Sequence, residues 1–124
     1  MKDIIFKIKP CPKPRMTRAD TWKKRPCVLR YFAFKHKLNI LAKQLNYIPG
    51  DTLAVTFVLE MPKSWSKKKK ELMNGKPHQQ KPDLDNMVKA FKDALLKEDS
   101  HVHTYSYMHK RWGEEPLIVV HQSE

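Results

Sequence analysis

Residues 52–61, TLAVTFVLEM, set β-branched, aromatic and aliphatic side chains almost without interruption between a Pro-Gly-Asp turn signal and a proline. That composition predicts the best strand in the chain, so a sheet must anchor the fold. Residues 3–9, DIIFKIK, alternate so that Ile4, Phe6 and Ile8 share one side, and Pro10 ends this second strand. In residues 28–45, Phe34, Leu38, Leu41 and Leu45 recur at helical spacing while Arg30, Lys35, Lys37 and Lys43 fall mainly elsewhere, which predicts an amphipathic core helix. Within residues 62–81, Ser64 or Ser66 caps a short helix that Asn74 and Gly75 terminate.

After Pro82, DLDNMVKAFKDALL repeats Leu84, Met87, Val88, Phe91, Ala94 and Leu95 at three and four residues, a second amphipathic helix with Asp83 at its N-cap. Residues 101–112 alternate as a strand, with His101 and His103 on one face. GEEP then turns, and LIVVHQ closes a predicted hairpin. The order β, arm, α, β, short α, α, β, β predicts a mixed α/β arrangement of the α+β type, a small mixed sheet packed with two main helices. At 124 residues one domain, residues 1–124, is expected.

Charge narrows the function. The chain carries a formal +12, which favours nucleic acid or another polyanion as partner. Residues 1–81 hold 20 Lys and Arg against 5 Asp and Glu, whereas residues 82–124 hold 5 against 8, so the acids gather where the basic part ends. Between positions 10 and 26, four prolines accompany Lys13, Arg15, Arg18, Lys23, Lys24 and Arg25, a basic arm whose Trp22 suits stacking on unpaired bases. Lys67, Lys68, Lys69 and Lys70, with Lys76 and Lys81 beyond them, form a second basic segment for phosphate contact. Cys11 and Cys27 show no CxxC pairing and no zinc spacing, and no secretory leader or run of ~20 apolar residues is seen, so a reducing cytoplasm is expected and a membrane partner is not.

Asp83, Asp85 and Asp99 are the chemical candidates. An acid beginning a helix ordinarily caps its free amides, and Asp85 with Lys89 makes a favourable i,i+4 pair. Against that bland account, Asp83 and Asp85 flank Leu84 at a junction where both carboxylates can project together, and Asp99 precedes a strand that returns alongside the helix. Hard oxygen ligands in a phosphate-attracting protein suit Mg²⁺, and phosphodiester hydrolysis is the chemistry such a set serves, with Lys89 adding a positive charge. The alternative is a catalytically silent nucleic-acid-binding protein whose acids only cap and pair.

These residues resemble those of the RusA family of Holliday junction resolvases, small endonucleases common in prophages. KPDLDNMVKAFKDAL is similar to the family's acidic motif and helix, and MPKSWSKKKKELMNGKPHQQ to the basic segment before it. KEDSHV is similar to the segment bearing the last acid, and the likeness runs over about residues 55–120. The resemblance implies Asp83, Asp85 and Asp99 as catalytic metal ligands and Lys89 as catalytic lysine. It further implies a Mg²⁺-dependent homodimer that makes paired cuts in four-way junctions; a place in DNA recombination and repair is expected with it, and Mg²⁺ or Mn²⁺ is the expected metal. One departure is the link ALLKEDS, which lacks glycine and is several residues shorter than usual; Glu98 there is a substitute ligand for Asp99.

Overall fold

The computed structural model describes residues 3–18 and 25–122, apart from the side chain of Asp99; Trp22, Lys23 and Lys24 therefore lie outside the described residues. In chain order the elements are β1 (Ile4–Phe6), α1 (Pro26–Gln44), β2 (Thr52–Glu60), α2 (Lys67–Met73), α3 (Leu84–Leu95), a 3-10 turn (Asp99–His101), β3 (Thr104–Gly113) and β4 (Leu117–Val120). This is the expected α+β class: one mixed four-stranded sheet in the order β1-β4-β2-β3. Strand β2 lies in its interior, antiparallel to β4 on one side and parallel to β3 on the other.

The predicted hairpin of β3 and β4 does not form. The two strands flank β2, and residues 114–116 carry the chain over the end of β2 from one side to the other. Four consecutive residues of β2, Val55, Thr56, Phe57 and Val58, are buried. A strand covered on both faces gains more from two backbone partners than a peripheral one, so β2 takes the interior place. Gly113 sits at the crossing: its carbonyl accepts from the Met61 amide at 3.1 Å, and a Cβ built there would overlap the Cγ1 methyl of Val58.

Helices α1 and α3 pack together on one face of the sheet. Phe6, Leu53, Val55, Phe57, Ile118 and Val120 of the strands share a core with Tyr31, Phe34, Leu38, Met87 and Phe91, and Phe57 meets Phe91 edge to face at 6.4 Å. Full burial of each large side chain stabilises by about 1.5–3 kcal/mol. The buried face of α1 is Val28, Tyr31, Phe34, Leu38 and Ala42, with Leu41 only partly covered and Leu45, the C-cap, about half exposed. Apolar residues also occupy its outer side, at Leu29, Phe32 and Ile40, so spacing alone places the stripe correctly only in part.

Strand β1 is shorter than its alternating pattern, yet Ile8 beyond its end remains buried. Helix α2 begins as expected: the Lys69 amide donates to Ser66 Oγ at 3.1 Å, and Gly75 with φ 81° takes the left-handed turn that ends this segment. His101 and His103 do not share a strand face. His101 closes the 3-10 turn, and His103 precedes β3, where its amide bonds to Asp51 O at 2.9 Å and its ring lies 3.5 Å from the Asp51 carboxylate.

Replacing Gly113 by Ala forces a methyl against the stiff, buried Val58 at the crossing. The expected cost is about 1–3 kcal/mol in equilibrium urea unfolding, with the denaturant slope unchanged.

Candidate nucleic-acid interface and acidic site

The segment between α2 and α3 is built onto the edge of β3. Amide and carbonyl groups pair Gly75 with Trp112, His78 with Lys110 and Trp112 with Lys76, all at 2.9–3.0 Å. Trp112 packs against Trp65 and His78 with ring centroids 4.7 Å and 4.1 Å away, the ring planes tilted by 56° and 44°. Burial, then the nearby Lys110 charge, holds the His78 imidazole below its usual pKa, which favours the neutral ring that packs here. Further along, Lys110 Nζ donates to the carbonyls of Gln80 and Pro82, the latter at 2.8 Å, and the Lys81–Pro82 peptide is cis. A strand lysine thus fixes the backbone that delivers Asp83.

Asp83 occupies the N-cap of α3 in extended conformation, as expected, but its carboxylate makes no capping hydrogen bond. Capping therefore does not account for this acid. Asp85 lies in the first helical turn, with Lys89 Nζ 3.9 Å from its Oδ2 and both side chains more than half exposed. Pairs as open as this contribute only a few tenths of a kcal/mol.

Asp83 also forms part of the wall of a groove of about 880 Å³ between α1, the start of α3 and the residues that follow β1. Lys9, Lys13, Arg15, Arg30, Lys37 and Lys81 line it as well. The described part of the arm is not a loose tail. Its Lys13 amide donates to Asn86 O at 3.0 Å, and Lys13 Nζ reaches Asp93 Oδ2 at 2.8 Å. Tyr31 OH donates to the same oxygen. At Asp93, burial pushes the carboxyl pKa up, but the hydrogen bonds from Lys13 and Tyr31 and the charges of Lys13 and Lys35 outweigh it and hold the group below its ordinary value. Arg15 is fixed through its carbonyl, which accepts from Arg25 at 2.9 Å, and Arg18 follows it at the surface.

Asp99 stands elsewhere. Twelve helical residues separate it from Asp83, roughly 18 Å of rise, and it begins the turn that leads to the start of β3. Asp83 shares its groove with Leu59, at the carboxyl end of β2, whereas β3 starts opposite Thr52 at the other end. Among the described residues no three His, Cys, Asp or Glu side chains cluster as a metal site. Asp83 and Asp85 still fit the edge of one: both are exposed, and neither is committed to a close partner, so their oxygens remain open to a hard cation that keeps water and phosphate in its other positions. Lys67, Lys68 and Lys69 are exposed on α2 with Lys70 half covered, Lys69 Nζ sits 4.3 Å over the Trp65 ring, and Lys76 and Lys81 are exposed between α2 and α3.

Sequence reasoning misses Lys110, Tyr31 and Asp93. Tyr31 and Asp93 lie 62 positions apart, and nothing in either neighbourhood signals the pairing.

Fold and site together define a basic α+β domain with an acid, Asp83, set in the wall of a cationic groove and a second, Asp85, beside it on α3. Comparison with protein-family models goes further: residues 6–121 match the family described as endodeoxyribonuclease RusA, and the chain belongs to that family. Family membership makes it an endonuclease of branched DNA junctions. A search of curated proteins finds no match. Among the described residues, no helix is long and apolar enough to cross a membrane.

Because Asp93 has a folded pKa below its unfolded one, its contribution is present above about pH 4 and is lost as pH falls through the folded value. Urea midpoints followed from pH 6 to pH 3 should drop for the parent, and Asp93→Asn should be less stable at pH 6 with a flatter decline.

Proposed function

We propose that the protein is a divalent-metal-dependent endonuclease that hydrolyses paired phosphodiesters in four-way DNA junctions, and that its working form is a homodimer. The observation that carries this is Asp83, an N-cap acid that caps nothing and instead lines a cationic groove at the same helix start as Asp85. Asp83 and Asp85 would hold Mg²⁺, or Mn²⁺ in its place. Such an ion, when bound, supplies an activated water and neutralises charge gathering at phosphorus. Lys89 adds a fixed positive charge beside Asp85, and Lys81 another beside Asp83. Arg15 and Arg18 of the arm, the α2 lysines Lys67 to Lys70, and Lys76 hold the phosphate backbone without reading bases.

Asp99 enters this reading through a second copy. Most of the length of α3 separates the first two acids from the third within one chain, and two symmetric incisions in any case call for two related sites. In a two-fold dimer the far end of one α3 supplies Asp99, or its neighbour Glu98, to the near end of the other. The activity then serves DNA recombination and repair in the cytoplasm.

A synthetic four-way junction should be cut in Mg²⁺ and left intact in EDTA, with linear duplex a poor substrate. Asp83→Asn and Asp85→Asn should each lose at least about 100-fold in cleavage rate, a barrier increase near ~3 kcal/mol, while gel-shift affinity for the junction is kept. Asp99→Asn alone should be equally inert, yet mixing it with Asp83→Asn should restore nicking of single strands, since one intact site forms per mixed dimer. An inactive mixture would remove Asp99 from the partner's site; a parent that never cuts would leave the silent binding protein as the better reading.

Neutralising Lys67 and Lys68 as Gln should weaken binding to every DNA alike. The slope of log affinity against log salt should fall by about 0.9 for each phosphate no longer neutralised.

A further inference from the structure

The groove beside Asp83 differs in character from a surface made for double-stranded DNA. A duplex shows its phosphates outward and keeps its base faces stacked, so a seat for it needs charge and little apolar floor. Here Pro12, Pro14, Ala33 and Leu59 contribute apolar lining, while Lys9, Arg15, Arg30, Lys37 and Lys81 add the charge. Among the described residues, none of those five cations has a carboxylate within ion-pair range, so their charge is available to a ligand. Apolar and planar surface bordered by cations is what unpaired nucleotides require, since each exposed base face must be covered and each phosphate neutralised.

Size agrees with chemistry. A volume of about 880 Å³ falls in the ~300–1,000 Å³ range of pockets that hold one small ligand, a size that suits a few nucleotides of a single strand. The groove is also preformed, because the Lys13 bonds to Asn86 and Asp93 hold its arm wall in place before any ligand arrives.

We propose that this groove seats a few unpaired nucleotides of one DNA strand and leads that strand's backbone past Asp83. The inference rests on the nuclease reading for its meaning: the enzyme then selects DNA in which base pairs at the crossover have opened, and charge alone attracts the duplex arms. Bases stack on the prolines and on the guanidinium planes of Arg15 and Arg30, while Lys9, Lys37 and Lys81 follow the phosphates.

The test uses the full chain in EDTA and reads binding alone. Fluorescence anisotropy with labelled (dT)6 and with a blunt duplex of about 12 base pairs, roughly one helical turn, would compare the parent, Ala33→Glu inside the groove and His36→Glu on the same helix away from it. Both variants add one negative charge at an exposed helical position, so non-specific repulsion weakens both ligands by a similar small factor in each. Ala33→Glu should weaken (dT)6 at least tenfold more than His36→Glu does, with the duplex showing no such difference. Equal effects of the two variants on (dT)6, equal losses for duplex and single strand in Ala33→Glu, or a parent that does not hold (dT)6 would each overturn the proposal. Failure to cut junctions would sink the nuclease reading without altering these ratios.

Discussion

Parallel pairing of β2 with β3 is the constraint from which the rest follows. Two strands running the same way cannot be joined by a tight turn; the chain must leave the carboxyl end of the first and return to the amino end of the second. In this protein the return path is α3, packed across the sheet on α1. Its N-terminus is consequently fixed near the carboxyl end of β2, the usual place for ligands on open sheets with such crossovers, and its C-terminus at the opposite end. One backbone arrangement thereby brings Asp83 to the groove, with Asp85 in the first helical turn beside it, and carries the chain to Asp99 at the opposite end of the helix.

Around that crossover, short polar ties do the positioning. Lys110 reaches from β3 to the carbonyls just ahead of Asp83, and Asp93 gathers Lys13 and Tyr31 so that the arm lies against both helices. Asp93 is partly buried, and each of its partners also serves the core or the groove. The arrangement commits an acid to structure so that the cations around it can face outward.

How far the sequence discloses this differs by element. Helix α2 is readable because a Ser cap and an Asn-Gly stop act locally, and α3 because its apolar stripe is regular. The β3–β4 pairing is not, because a turn flanked by apolar runs suits a hairpin and a strand-straddling crossing equally well. The signal that separates them lies in residues 55–58 of β2, whose unbroken run of β-branched and aromatic side chains marks a strand covered on both sides. For the acids, closeness in the chain suggests closeness in space, although twelve intervening helical residues already imply a separation of roughly 18 Å. The groove itself is invisible in the sequence, because its walls come from distant stretches whose meeting depends on the tertiary fold.

The packed aromatic rings at the β3 edge carry a practical consequence. Of the three tryptophans in the chain, Trp65 and Trp112 have ring centroids 4.7 Å apart, where the segment that leads to Asp83 pairs along the edge of β3. Their intrinsic emission is therefore a built-in optical reporter for the working end of the molecule, sensitive to any rearrangement there without a dye having to be attached.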